Sequence, residues 1–482
     1  MTKLSRLLAL TLALALVLGV GYAAYAAGPA GSWASGIACV NLDSANDASI
    51  TLTFYPQDSG SAALSYADTI PAGASKNYYT PSTPPGVPSG FLGSVVVASS
   101  TPVSCSVNTQ KQSAGTQSDP YRIGTSAGVS EAEAAPTMYA PQVMKNLAGW
   151  NSYIAVQNTD SVDTSVTVTY KDANGNTVAG ATETVTIPAQ STHIFYQDSN
   201  AGLPNNFIGA ATISADNGTS KLAVVVNFYN DGSTSSKAQL HSYNGFASGA
   251  NTLYVPRVVR NFYGYNSGLS IQNIGASDTT VKVTFNFAGN TYTYTSGAIA
   301  PGAALAIYAP NMSELSGVDS LPQSQRFGSA VIEVLSGGPV VAIVNEDNRG
   351  GAGVPAERAG QGSTYNAIPA GSETNTVFFA QIARNAGGVF SGGFQVANTT
   401  STNGTCSISY AGASAADETG VSLPANGSIA RYAPSVANLP DGFNGAVTVT
   451  CDVPIVGISN LAVNPGSGRY GDSFTQGNGL NQ

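Results

Sequence analysis

Apolar and polar residues alternate in short stretches of this chain, and the stretches recur. Ile50-x-Leu52-x-Phe54, Val166-x-Val168-x-Tyr170, Val281-x-Val283-x-Phe285 and Cys406-x-Ile408-x-Tyr410 carry an apolar side chain at every second position, with threonine and serine dominant between. A period of two marks a strand with one buried face. Upstream of each lies a second shared strand closed by asparagine: Ile37–Asn41, Ile154–Asn158, Leu269–Asn273 and Phe394–Asn398. These asparagines are 117, 115 and 125 residues apart (158−41, 273−158, 398−273). Solenoid repeats run to roughly 20–50 residues, whereas a complete domain takes about 100–150. The pattern therefore predicts four related domains.

Further landmarks keep the same spacing. A turn proline (Pro71, Pro188, Pro301, Pro424) precedes a strand ending in Tyr79, Tyr196, Tyr308 or Tyr432. A loop with Val87-Pro88, Leu203-Pro204, Leu321-Pro322 or Leu439-Pro440 runs into Phe91, Phe207, Phe327 or Phe443. Another alternating strand follows (Val95/Val97, Ala211/Ile213, Ala330/Ile332, Val447/Val449), then one ending in Asn108, Asn227, Asn345 or Asn460. No window sustains a 3.6-residue apolar period. The predicted fold is all-β: four tandem antiparallel β-sandwich domains in a linear array, spanning 27–131, 132–248, 249–370 and 371–482. The polar seams near 111–135, 231–250 and 350–374 read as connectors of a semi-rigid rod.

Copies two to four open with an extra strand: Tyr139-x-Pro141-x-Val143-x-Lys145-Asn146, Tyr254-x-Pro256-x-Val258-x-Arg260-Asn261 and Phe378-x-Ala380-x-Ile382-x-Arg384-Asn385. Copy one has no room for it between residue 27 and Trp33. The expectation is an open sheet edge near Trp33 and Ile37, either filled by a strand from a neighbouring molecule in head-to-tail assembly or left wet with the Cys39–Cys105 bridge substituting for the strand.

Composition sharpens the class. Of 482 residues only 9% are charged, against roughly 25% in ordinary soluble domains. The formal net charge is −9 and no basic patch exists to neutralise phosphates, which excludes a nucleic-acid partner. Residues 1–26 read as a secretory signal: Lys3 and Arg6, an apolar run from Leu7 to Val20, and Ala24-Tyr25-Ala26 as cleavage site. No later apolar stretch is long enough to span a membrane. Secretion makes the four cysteines a disulfide framework. Cys39 and Cys105 fall in the first copy and Cys406 and Cys451 in the last, mostly at slots apolar elsewhere, so the alignment pairs Cys39 with Cys105 and Cys406 with Cys451. Closing 66 and 45 residues (105−39, 451−406), each bridge is worth roughly 3–4 kcal/mol in the chain-entropy model.

Candidate chemistry is sparse. The two histidines, His193 and His241, share no repeated slot. Gly471-Asp472-Ser473-Phe474 faintly resembles the nucleophile block of GDS-type esterases, but it stands at the wrong end of the wrong fold class. No G-x-S-x-G, H-E-x-x-H or phosphate loop occurs. Glu346-Asp347-Asn348 and Asp172/Asn174/Asn176 offer oxygen ligands to Ca²⁺, with solvated turns as the favoured alternative. The fourfold tyrosines and the series Trp33/Trp150/Tyr265/Phe390 read as core plugs ahead of sugar-stacking platforms. Both asparagine sets read as strand-end hydrogen bonders. Asn217, Asn311, Asn403 and Asn426 are candidate glycosylation sites; Asn398, also in a sequon, belongs to the structural set. No catalytic residue, cofactor or metal is assigned.

The Asp-Ala-Asn-Gly-Asn turn (172–176), the Ile-Pro-Ala turn (187–189) and the Tyr-x-Pro-x-Val-x-(Lys/Arg)-Asn openings resemble bacterial secreted cell-surface proteins built from tandem Ig-like β-sandwiches. That resemblance implies an extracellular structural or adhesive role (surface layer, sheath, filament or stalk), self-association or contact with other surface components, and no catalytic residues. The alternatives are a carbohydrate-binding array and, behind it, a secreted hydrolase.

Overall fold

The computed structural model describes residues 28–232 and 237–481; the signal segment 1–26 lies outside them. The first unit holds β1 (Trp33–Asn41), β2 (Ala48–Pro56), β3 (Leu64–Ile70), β4 (Ser75–Tyr79), β5 (Gly93–Ser99), β6 (Val103–Lys111) and β7 (Tyr121–Ala127). The second holds β8 (Thr137–Lys145), β9 (Trp150–Asn158), β10 (Thr164–Lys171), β11 (Glu183–Ile187), β12 (Thr192–Tyr196), β13 (Phe207–Ala215), β14 (Leu222–Asp231) and β15 (Ala238–Asn244). The third holds β16 (Thr252–Val259), β17 (Tyr265–Asn273), β18 (Thr280–Phe287), β19 (Asn290–Thr295), β20 (Ala304–Tyr308), β21 (Phe327–Ser336), β22 (Val340–Asn348), β23 (Gly362–Asn366) and β24 (Ile368–Pro369). The fourth holds β25 (Thr374–Ala383), β26 (Phe390–Asn398), β27 (Gly404–Tyr410), β28 (Glu418–Leu423), β29 (Ser428–Tyr432), β30 (Asn444–Val463), β31 (Gly471–Asp472), β32 (Thr475–Asn478) and β33 (Leu480–Asn481).

Each unit is a pair of antiparallel sheets with one wiring. In the second unit the orders are β11-β10-β13-β8 and β12-β9-β14-β15; in the third, β19-β18-β21-β16-β24 and β20-β17-β22-β23. The fourth repeats the plan with one long strand: the start of β30 pairs with β27 and β25, and its end pairs with β26 and β32. The first unit has β4-β1-β6-β7 in one sheet but only β3-β2-β5 in the other. Alternation drives the assembly. In β10, Val166, Val168 and Tyr170 are buried and the intervening Ser165, Thr167 and Thr169 face outward, where Thr167 meets Thr184 across the ladder at 2.8 Å.

The opening-strand motif explains itself locally. Pro141 and Pro256 lack an N–H for the ladder, and the register shifts there, between Val255 and Val258 in the third unit. The following cation reaches into the loop ahead, and the asparagine after it takes a left-handed backbone (Asn146 φ 51°, Asn261 φ 51°, Asn385 φ 50°), which asparagine tolerates better than most residues.

The strand-closing asparagines occupy equivalent sites. Asn158 Nδ2 donates to Val162 O (2.7 Å), Ile187 O (3.1 Å) and Pro188 O (3.3 Å), and its Oδ1 accepts from Asp160 N. Asn41, Asn273 and Asn398 make the same pattern. Asn158→Ala leaves buried carbonyls unpaired and is expected to lower unfolding free energy by roughly 2–4 kcal/mol in urea denaturation. A change under about 0.5 kcal/mol would deny these residues a framework role.

The disulfides join Cys39 to Cys105 and Cys406 to Cys451. Each links directly opposed residues on neighbouring strands of one sheet, β1 with β6 and β27 with β30, rather than tying the two sheets together.

Two expectations need correction. The seams are not mere connectors: each contains the last strand of its second sheet (β7, β15, β23), and β32 is the fourth unit's counterpart. These four strands pack successively, β7 on β15, β15 on β23, β23 on β32 and β32 back on β7. The all-β sandwich array is present, but it closes on itself instead of running straight, because strands packed on one another rather than flexible linkers join the units. The open edge also lies elsewhere than expected. Ile37 on β1 is paired on both sides, with Tyr78 of β4 and Val107 of β6, and Trp33 pairs with Lys111 of β6; the three-stranded sheet ends at β5.

Candidate functional site

Two features could do work: the central strands and the β5 edge. At the centre, the asparagine that ends the last strand of the second, third and fourth units clasps the backbone of the preceding unit. Asn244 accepts from Ala127 N (3.0 Å) and donates to Ala127 O (2.8 Å). Asn366 does the same to Asn244, at 3.3 and 2.8 Å, and Asn478 donates to Asn366 O at 2.9 Å. An amide side chain here acts as a spare peptide group, extending the ladder from unit to unit.

Asp472 closes the ring. It is wholly buried, and its oxygens accept from Leu240 N of the second unit (2.9 Å) and Gly362 N of the third (2.8 Å). Its own strand, β31, pairs in parallel with Tyr121 and Arg122 of the first unit. Burial is the main influence on its carboxyl, pushing it well above the usual carboxylate range against the backbone donors and Arg122. Gly471 is needed there: at φ 96° its backbone suits glycine, and a Cβ would lie 2.5 Å from Tyr121 O. Beside this hub, Arg257 and Glu346 form a buried bidentate pair (2.8 and 2.7 Å) that Gln476 of the fourth unit also joins at 3.0 Å.

The residues weighed for catalysis do not converge. Ser473 is buried, and its hydroxyl accepts from Gln361 Nε2 (3.1 Å) and Val463 N (3.3 Å). His193 bonds Asp58 of the first unit at 2.7 Å. His241, placed by sequence in a connector, lies buried on β15 and bonds Thr364 at 3.2 Å. Neither histidine bonds Ser473. The candidate Ca²⁺ oxygens are engaged: Asp172 accepts from Asn174 N and Asn176 N, Glu346 holds Arg257, and Asp347 holds Arg349. Among the described residues no cluster of three His, Cys, Asp or Glu could hold a metal.

The repeated tyrosines are not core plugs. Tyr79 and Tyr432 are 38% and 44% exposed, and Tyr308 carries Arg349 over its ring at 4.7 Å. They end their strands on the outward face, whereas the buried tyrosines are Tyr78, Tyr170, Tyr243, Tyr365 and Tyr410. Of the other aromatic series Tyr265 is buried, and Trp150 is half-buried with its edge to His241 at 5.1 Å.

The β5 edge is built by omission. Ser100 N donates to Ser49 O and Gln57 N to Leu92 O, so by antiparallel alternation Val95, Val97 and Ser99 turn their backbone groups away from β2. No described strand pairs with that side. Val95 and Val97 stay half-exposed, where Ala211/Ile213, Ala330/Ile332 and Val447/Val449 are buried beneath their opening strands. The Cys39–Cys105 bridge lies in the opposite sheet and does not cover this edge.

No family model matches the chain, and no curated protein matches it. Among solved structures, the Thermotoga maritima 1070 protein is 17% identical over 25% of this chain and 96% of its own, at a TM-score of 0.19. A Ca²⁺-stabilised adhesin that helps an Antarctic bacterium bind ice is 11% identical over 93% and 94%, at 0.11. The serine-rich repeat adhesion glycoprotein Srr1 of Streptococcus agalactiae is 10% identical over 50% and 98%, also at 0.11. Among the described residues no helix is long and apolar enough to cross a membrane.

Proposed function

We propose that the chain is a secreted, non-catalytic structural or adhesive protein whose four units, 27–131, 132–248, 249–370 and 371–482, form one closed body with a strand-accepting edge on the first. The observation that carries this reading is the contrast between centre and rim. Asp472, Ser473 and His241 are buried and bonded to neighbouring units, while β5 keeps backbone donors and acceptors free to pair. Grafting the Tyr139–Asn146 sequence ahead of Trp33 is expected to cap that edge and abolish retention of the purified chain on the outer surface of its cell of origin. Equal retention of the capped chain, or hydrolysis of an ester, glycoside or peptide panel that Ser473→Ala abolishes, would overturn the reading.

Exposed Tyr79 and Tyr432 favour glycan contact as a second reading. Saturable binding to polysaccharide that Tyr79→Ala and Tyr432→Ala remove would select it. Asn217, Asn311, Asn403 and Asn426 are exposed and are where glycan would attach; intact mass of the native protein tests this.

A further inference from the structure

We propose that the first unit binds an extended strand from a different polypeptide, one carrying an aromatic residue and, six positions later, a lysine or arginine followed by asparagine. This rests on the strand-accepting role above and specifies the partner.

The three complete units show what the slot selects. Their opening strands are held at three points. One edge pairs with β13, β21 or β30. The aromatic residue pairs backbone to backbone on the other side, Tyr139 with Phe246, Tyr254 with Ile368 and Phe378 with Leu480. The cation six residues on reaches a loop carbonyl: Lys145 Nζ to Asn200 O (2.6 Å), Arg260 to Met312 O (3.0 Å) and Arg384 to Val436 O (2.9 Å). Each of those carbonyls lies four residues after the repeated tyrosine, Tyr196, Tyr308 or Tyr432.

The first unit keeps the receiving half of two contacts and, by sequence position, a candidate for the third. β5 offers Val95, Val97 and Ser99 along one side. Val129 stands where Phe246, Ile368 and Leu480 stand, two residues beyond the end of the last strand, and Gly128 N bonds Cys105 O just as Gly245 N bonds Val224 O. By count from Tyr79, Thr83 O stands at the sequence position of the cation-binding carbonyls, in a loop whose turn closes one residue earlier, on Tyr79 O. The slot also continues an existing interface. Opening strands pack onto the next unit, as Ser270 Oγ does to Pro141 O at 2.7 Å. The repeat places Tyr153 and Tyr229 of the second unit, centroids 6.2 Å apart, on that far wall.

A second copy of this chain is not the donor. Its three strands with the required pattern, β8, β16 and β25, are already held on both edges. Residues 20–27 carry Tyr22, but glycine, Gly28, stands six positions later, and the expected cleavage removes nearly all of the segment.

The test uses the mature secreted chain and a labelled peptide of sequence Thr137–Asn146, read by fluorescence anisotropy and amide hydrogen exchange. Saturable binding at one site is expected, with slowed exchange at Val95, Val97 and Ser99. A Lys145→Glu peptide should bind about tenfold more weakly, since a charge-assisted hydrogen bond is lost. The chain bearing the grafted strand should bind neither peptide. Slowed exchange at β5 with equal affinity for both peptides would overturn the cation rule while leaving strand acceptance standing. No binding and no protection by either peptide would overturn both. A native N-terminus upstream of residue 20, with β5 amides already protected, would show the slot filled within the chain and would also overturn the proposal.

Discussion

Replacing Asp472 by alanine is expected to lower the unfolding free energy by roughly 3–5 kcal/mol and to loosen the fourth unit from the second and third. The substitution leaves the buried N–H groups of Leu240 and Gly362 without acceptors; each such loss costs about 1–3 kcal/mol, and Arg122 loses a neighbouring charge. Urea denaturation followed by intrinsic fluorescence measures the cost. Faster amide exchange at Leu240 and Gly362, with a larger radius of gyration by X-ray scattering, would show that the ring has opened. Asp472→Asn keeps one acceptor oxygen and should lie between alanine and the native residue. Unchanged stability and unchanged exchange in the alanine variant would remove Asp472 from the closure.

The sandwich strands were legible because one of their faces meets a core and the other meets solvent. That asymmetry writes itself as alternation, as in Val166, Val168 and Tyr170. The last strands of the second and third units were not, because they are covered on both faces. Gln239, Leu240, His241, Ser242 and Tyr243 are all buried, between their own sandwich and the neighbouring units, so no period of two appears. A repeat signal was nevertheless present. Asn108, Asn227 and Asn345 each accept from a hydroxyl on the last strand, Thr125, Ser242 and Thr364, and two of those hydroxyls open a shared Ser/Thr-Tyr-Asn triplet (242–244 and 364–366). Reading those triplets as strands would have exposed the seams as core.

The hub was illegible for a different reason. Asp472 takes its hydrogen bonds from backbone amides 232 and 110 residues away, and a backbone amide leaves no trace in the identity of its residue. The β5 edge was half legible. The absence of a strand followed from the missing Tyr-x-Pro-x-Val motif, but its place depended on which strand that motif pairs with. Sequence adjacency suggested β1; the ladders assign the partner to the sixth strand of the complete units.

Acid is expected to destabilise the closed ring through His241. Burial alone lowers its imidazole from an ordinary 6.5 to about 3. Its Nδ1 bonds Thr364, its Nε2 has no partner, and Gly362 lies so close that a Cβ there would stand 2.3 Å from Nε2. A proton on that ring would be a buried, uncompensated charge. With the folded value depressed below the unfolded one, the unfolded chain takes up the proton first as pH falls. Stability is therefore intact above about 6.5 and lost progressively down to about 3, by roughly 4–5 kcal/mol over the whole window. Asp472 works the other way: its raised value makes the folded state the better proton acceptor as pH falls, which partly offsets the loss. Comparing urea denaturation of the native chain and His241→Gln at several pH values between about 7 and 3 isolates the histidine. The glutamine variant is expected to be less stable at neutral pH, through lost packing against Trp150, yet to lose less stability on acidification. Parallel pH profiles for the two proteins would mean that His241 gains its proton without opening the ring.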